Sequence, residues 1–318
     1  MRGLRSFMLG IVLLLATYPL AAHEDPEIAG YVEVPGGKIW YRLNGLRHVG
    51  KRPALIVIHG GPGGSHRMLM PFVELADEWP VVLYDQLDSG NSDQPNRTGN
   101  WTVERFVAEI EALRRHLKLS KVIVVGHSWG GALAAEYAIA HPRALSAVIL
   151  ASPLISTPEW LADAAQLVDE LDPQTRDTLR RHVAAGTFDD PEYLDAEREF
   201  YAQHMCRMTP CPGGEYREGS RNEFNATLYR YMWGPSEFHA TGTLRTFDIS
   251  GELNRLQAPT LVICGEFDEA RPETCRRHGA RIPNSKVTIV PNAAHAALLE
   301  QKAIFLAAVR RFLEEQTR

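Results

Sequence analysis

Four cysteines in 318 residues, no basic excess and no apolar run of bilayer length set the first limits on this chain. Lys and Arg number 34 against 39 Asp and Glu, a formal net charge of −5. A nucleic-acid partner needs a basic face to displace condensed counterions, so none is expected. Neither cysteine pair is followed by His at zinc-finger intervals, and no Gly-Lys-Ser/Thr closes a phosphate loop, so no metal and no cofactor is expected. Repeats, low-complexity tracts and flexible Pro/Ser-rich linkers are also missing. What remains is ordinary globular usage, 45% hydrophobic and 23% charged, which excludes disorder, collagen and coiled coil.

Residues 1–22 read as an address. Arg2 and Arg5 precede an apolar stretch from Phe7 to Ala16, and Tyr18-Pro-Leu-Ala-Ala22 comes before the polar His23-Glu-Asp-Pro26. This is the three-part layout of a secretory signal peptide, with cleavage expected after Ala22 and a secreted or periplasmic product. An uncleaved anchor is the competing reading, but the apolar run is short of the ~20 residues that span a bilayer. Removing the signal would take the formal charge from −5 to −7. In an oxidising compartment four cysteines can pair completely, and proximity along the chain favours Cys206 with Cys211 and Cys264 with Cys275. Four buried thiols are the alternative. Asn225-Ala-Thr227 fits the glycosylation pattern.

The segments Tyr31–Val34 and Lys38–Tyr41 alternate around Pro35-Gly-Gly37, the pattern of an antiparallel hairpin. Continuous apolar runs follow at 54–58, 81–84, 122–125, 147–150, 261–263 and 287–290, as expected for strands covered on both faces of a parallel sheet. Helical spacing over 103–117, 131–140 and 303–313 lies between or after them, so the fold class is α/β, a mostly parallel, doubly wound sheet. Between about Ser156 and Leu256 the buried-strand runs stop, and four helix-like segments are predicted at 160–171, 173–185, 191–205 and 222–233. The expected organisation is a core at 23–155 and 257–318, with a helical cap at 156–256 over the carboxyl edge of the sheet.

Val124-Val-Gly-His-Ser128-Trp-Gly-Gly131 runs from a buried strand through Gly-x-Ser-x-Gly into a helix. A sharp strand-to-helix turn lifts the Ser128 hydroxyl out of the sheet, and the flanking glycines leave it room. Serine becomes a useful nucleophile only with a base and an orienting carboxylate, and these should follow it in the order acid, histidine. Asp268 comes just after the run 261–263 and His295 just after 287–290, on the same edge as Ser128. Glu266 and Glu269 compete for the acid role. His116, His141 and His182 read as solvated helix-face or helix-end residues, and His127 as a structural neighbour pointing away from Oγ. His59-Gly-Gly-Pro-Gly-Gly64 carries so little side chain that the Gly61 N–H, with that of Trp129, could form an oxyanion hole.

Together His59–Gly63, Asp85-Gln86 with Gly90-Asn-Ser92, Gly126–Gly131, Gly234-Pro-Ser-Glu-Phe238, Gly265–Glu269 and His295 resemble the proline iminopeptidase branch of the α/β-hydrolases, including the tricorn-interacting aminopeptidases. The resemblance implies an α/β-hydrolase with an inserted helical cap that releases an amino-terminal residue from short peptides or amides without a metal. It also implies that Glu237 and Glu269 hold the substrate's free amino group. Read without it, Glu237 is a surface acid and Glu269 a helix-start charge. Asp88 departs from the family pattern, which has glycine there; Asp tolerates unusual backbone angles, so the turn is expected to survive, with an extra carboxylate near the mouth that would change which substrates enter. Trp233, Phe238 and Tyr231 are read either as pocket lining or as cap core. Two other functions compete: the same machinery on an ester, lactone or amino-acid amide, and a non-catalytic binding protein built on a hydrolase fold. Hydrolysis of substrates lacking an amine would favour the first, and failure of an organophosphonate to label Ser128 the second.

Overall fold

The computed structural model describes residues 25–212 and 224–316, so the secretory-signal reading of residues 1–22 lies outside them. Strands β1 (Ile28–Val34) and β2 (Gly37–Asn44) form an antiparallel hairpin at one edge of an eight-stranded sheet. Next to them lie β4 (Val81–Tyr84), β3 (Ala54–Ile58), β5 (Val122–His127), β6 (Leu145–Ala151), β7 (Thr260–Gly265) and β8 (Ser285–Val290), mutually parallel.

The unbroken apolar runs are explained by the two faces. Ile56, Ile58, Val82 and Val124 point to one side, against Phe106, Ile110 and Leu113 of α1 (Val103–His116) and Ala132 and Leu133 of α2 (Trp129–Ala140). Leu55, Val57, Val125 and Ile149 point to the other, against Phe305, Val309 and Phe312 of α9 (Lys302–Gln316) and the 3-10 segment His66–Asp77. A period of two with both faces buried therefore writes every strand position apolar, each side chain contributing roughly 1.5–3 kcal/mol.

Between β6 and β7 the chain forms α3 (Thr157–Glu170), α4 (Pro173–Ala185), α5 (Pro191–His204) and α6 (Ala226–Met232), then two short 3-10 turns. Their starts are set chemically. Ser156, Asp172, Asp190 and Asn225 each accept a hydrogen bond from an orphan N–H of the first turn, and a proline sits in the first turn of α3, α4 and α5. The Ser156 cap starts α3 earlier than the expected 160, and the Asn225 cap starts α6 later than the expected 222. Helix α7 (Pro272–Arg281) starts at the proline just after Glu269, where the sequence reading puts a helix start, and buries Thr274, Cys275, His278 and Gly279 on one face, whereas the single turn α8 (Ala297–Glu300) has no counterpart among the expected segments.

Cys206 and Cys211 form a disulfide, whereas Cys264 and Cys275 are free buried thiols, which corrects the second expected pair. Cys275 Sγ donates instead to the Ala270 carbonyl. His182 is also corrected: only 7% exposed, it lies against Thr187 and Tyr193 and is not solvated. No helix among the described residues is long and apolar enough to cross a membrane.

Candidate active site

The parallel strands end on one edge, and each delivers a loop there: β3 the glycines from Gly60, β4 Asp85 and Gln86, β5 Ser128, β6 Ser152, β7 Asp268 and Glu269, β8 His295. Ser128 sits at φ 56°, ψ −123°, a backbone region costly for any side chain and characteristic of functional turns. The turn is closed so tightly that a Cβ on Gly126 would lie 2.0 Å from the Gly130 carbonyl. Ser128 N–H donates to the Ala151 carbonyl at 3.0 Å, and its own carbonyl accepts from Gly131 at 2.8 Å and Leu154 at 3.1 Å, which spans the turn between β5 and β6.

His295 Nδ1 donates to Asp268 Oδ1 at 2.8 Å, leaving Nε2 toward the cavity. Asp268 is held by Ser152 Oγ and by the N–H groups of Gly265 at 3.2 Å and Ala270 at 2.9 Å. Burial pushes its carboxyl up, but the charge of His295 and these hydrogen bonds outweigh that and hold it below the usual carboxylate range. For His295, burial pulls the imidazolium down, and the Asp268 charge and hydrogen bond, with Glu237 and Glu300 beyond, raise it above the ordinary value of 6.5. Of the rivals for the acid role, Glu266 is exposed and accepts from Asn292 N–H at 2.9 Å. Glu269 lies on the opposite side of the ring, Oε1 3.8 Å from Nε2. His127 behaves as expected of a structural neighbour: its Nε2–H donates to the His295 carbonyl at 3.1 Å, and burial brings its pKa down to about 4.

Glu269 is 1% exposed, and neither of its oxygens has a hydrogen-bond partner among the described residues. Burial first, then the charges of Glu237 and Asp268, push its carboxyl well above the usual range. Half-buried Glu237 accepts from Tyr229 Oη at 2.6 Å, and it too is raised, by burial. Ser128, His295, Glu237, Gly60, Gly61 and Tyr229 share the wall of one cavity of about 340 Å³.

Sequence reasoning missed the scaffold behind these groups. Gln86 Nε2 donates to the His59 carbonyl at 2.8 Å, and its Oε1 accepts from the Trp129 indole at 3.0 Å. Indole nitrogen only donates, so the amide orientation is settled, and one side chain braces the glycine loop against the residue after Ser128. His59 Nε2 accepts from Gln86 N–H at 3.0 Å, and its Nδ1 donates to the Gly60 carbonyl at 2.9 Å. Asp85 folds the next turn, accepting from His66 N–H at 2.7 Å, His66 Nδ1 at 2.8 Å and Asn91 N–H at 2.8 Å. Two sequence signals pointed at Gln86, its place in the Asp85-Gln86 motif that carries the family resemblance and its position just beyond a strand on the Ser128 edge, but neither showed what it braces.

Asp88 is not a carboxylate at the mouth. It is fully buried at φ 64°, where Oδ1 accepts from Asn96 N–H at 2.6 Å and Oδ2 from the Trp101 indole at 2.7 Å. Its carbonyl accepts from Asn225 Nδ2 at 2.8 Å, so the amide nitrogen that a glycan would occupy is already engaged. Trp233 is buried against Trp160 and Phe238 packs on Phe200, both within the cap, while Tyr231 is exposed beside Trp101. Among the described residues one His/Asp/Glu group has metal-like spacing: His182, Asp190 and Glu192, outside the cavity wall. Arg181 already pairs with Glu192 at 2.6 Å, and Asp190 caps α5.

A family model described as the alpha/beta hydrolase fold matches residues 53–302. The chain belongs to that family and is a hydrolase. It is 36% identical over 285 residues to a proline iminopeptidase of Heyndrickxia coagulans, covering 89% of this chain and 98% of that protein. Two solved structures are similar: the proline iminopeptidase of Mycobacterium smegmatis, with a TM-score of 0.81, 35% identity and coverage of 91% and 98%, and VinJ, with 0.85, 34%, 92% and 100%. Within the α/β-hydrolases the chain belongs to the proline iminopeptidase family.

Replacing Gln86 with Leu leaves the His59 carbonyl and Trp129 indole unpaired in the interior, at about 1–3 kcal/mol each. Urea unfolding is expected to show that loss at an unchanged m-value. A variant as stable as the parent would mean that the brace contributes nothing.

Proposed function

We propose that this protein is a serine aminopeptidase releasing an amino-terminal residue, proline or another small apolar one, from short peptides or amides through an acyl-enzyme. The observation that carries this reading is Glu269: a carboxylate sealed from water, without a hydrogen-bond donor, 3.8 Å from the cavity-facing nitrogen of His295. Such a group is destabilising unless a cation completes it, and a substrate ammonium gripped by Glu269 and Glu237 would do so. Gripping the amine at that point places the first carbonyl over Ser128 and leaves no room for residues ahead of it.

In this mechanism Ser128 Oγ attacks the carbonyl carbon as His295 Nε2 takes the hydroxyl proton. Asp268 holds the imidazole by Nδ1–H and stabilises the imidazolium. The N–H groups of Gly61 and Trp129 receive the oxyanion. When the adduct collapses, the C–N bond breaks and His295 gives its proton to the departing nitrogen. Water then attacks the ester, with His295 again taking and returning a proton, and the first residue leaves with its carboxylate. The relatives' name supports this choice of scissile bond.

Proline and alanine arylamides measured with Ser128→Ala are expected to lose roughly 10⁴-fold or more in kcat. Glu237→Gln and Glu269→Gln should each cost about 30-fold or more in kcat/KM on these substrates, the penalty of leaving a charge unmatched, while 4-nitrophenyl acetate, which has no amine, is spared. Equal losses on both substrates would point to an esterase-like enzyme instead.

The raised pKa of Glu269 has two consequences of opposite sign. The folded protein holds a proton that the unfolded chain has released, so stability falls as pH rises from the ordinary carboxyl value through the raised one. Glu269→Gln is therefore expected to raise Tm at pH 8 while it lowers activity. Ammonium binding favours the ionised form of Glu269, so the affinity of Ser128→Ala for prolinamide is expected to fall as pH is lowered through the Glu269 titration, read as a pH-dependent calorimetric Kd. A Kd unchanged across the acid range, or one unchanged by Glu269→Gln, would remove Glu269 from the amine site.

We also propose export to a secreted or periplasmic location with cleavage after Ala22. The Cys206–Cys211 disulfide supports it, since such bonds persist in oxidising compartments. Amino-terminal sequencing of protein from the native host should begin at His23; a chain beginning at Met1 would remove the proposal.

A further inference from the structure

The amine grip accounts for one end of the substrate; the rest of the cavity wall is of a different kind. Met68, Leu69, Met205, Leu298, Leu299 and Phe224 line it, and among the described residues of the wall Glu237 is the only Asp, Glu, Lys or Arg. Leu298 and Leu299 lie in α8, directly after the His295 loop. Met205 is bonded to that loop, its carbonyl accepting from Ala296 N–H at 2.8 Å, and the Cys206–Cys211 disulfide borders it. Met205 and Leu299 are half-buried and Phe224 is exposed, so apolar surface faces water beside the catalytic groups.

The chemistry assigns this wall a role. The proton that His295 took from Ser128 goes to the nitrogen as the C–N bond breaks, so the departing amine must sit within reach of His295 Nε2. The side chain on that amine then meets what surrounds the His295 loop: Met205, Leu298 and Leu299. We propose that this wall is the leaving-group subsite, and that the enzyme selects substrates whose scissile nitrogen carries an apolar residue or an alkyl or aryl group. A charged side chain there would lose hydration and meet no opposite charge on Met205, Leu298 or Leu299. The inference rests on the aminopeptidase reading and adds a second specificity, on the far side of the scissile bond.

The test is kcat/KM for three amides sharing one first residue: Pro-Leu-NH₂, Pro-Gly-NH₂ and Pro-Asp-NH₂. Pro-Leu-NH₂ is expected to exceed Pro-Gly-NH₂ by about 10-fold or more, the range in which apolar pockets discriminate, with Pro-Asp-NH₂ slowest. In Leu299→Asn and in Met205→Asn the Leu/Gly ratio should contract toward one. A ratio is insensitive to the fraction of variant that is folded, so a poorly folding variant still reports. A wild-type ratio within threefold of one, or one unchanged in both variants, overturns the subsite while leaving the aminopeptidase intact. Failure to cleave any of the three amides overturns the aminopeptidase and the subsite with it.

Discussion

The site is organised around acidic groups held in a place that water cannot reach. Asp268, Glu269 and Glu237 lie about one imidazole, and only Asp268 is fully hydrogen-bonded. Asp268 is lowered by His295 and its hydrogen bonds, and Glu269 is raised because it is buried without a donor and has two other acids nearby. Two acids one residue apart in the chain thus acquire different chemistry from their surroundings. Such an arrangement costs folding free energy in the empty protein, and the cost is recovered only when a cation arrives.

Holding that arrangement requires a stiff frame, and the frame is polar rather than greasy. Gln86 ties the glycine loop to the indole of Trp129, and Asp85 ties the following turn to His66, which lies on the Trp40 ring at 4.5 Å. Asn225 joins the core to the cap: its N–H donates to the Gly63 carbonyl at 2.8 Å, its amide to Asp88, and its Oδ1 caps α6. Helix α6 carries Tyr229, which holds Glu237. A continuous path of hydrogen bonds and one helix therefore runs from the glycine loop to Glu237. Each link is buried or half-buried, where a missing partner costs more than an ordinary hydrogen bond contributes.

Much of this was legible in the order of residues. Strands buried on both faces write themselves as unbroken apolar runs, and the elbow is marked by glycines whose absence of Cβ the turn requires. Asp268 and His295 could be placed because each follows a strand run on the Ser128 edge. Cys264 and Cys275 do meet, thiol against thiol in the interior, yet they are not bonded: nearness of two sulfurs is not a disulfide, and Cys275 Sγ donates to the Ala270 carbonyl. Asp88 misled because an acid in a loop is usually solvated, and its two donors come from residues eight and thirteen positions later. Gln86 left no compositional trace, since a brace is recognisable only once both things it holds are known.

The helices inserted between β6 and β7 are joined to the sheet at the His295 loop itself. His295 N–H donates to the His204 carbonyl at 3.1 Å, and Glu300 accepts from Ala294 N–H and from Arg207 N–H, each at 2.7 Å. The end of α5 and the loop bearing the imidazole are thus one piece of architecture, although about ninety residues separate them. Anyone grafting a cap from one member of the family onto the core of another would have to cut elsewhere. A chimera that takes 204–207 from one parent and 294–300 from the other inherits a mismatched seam beneath His295.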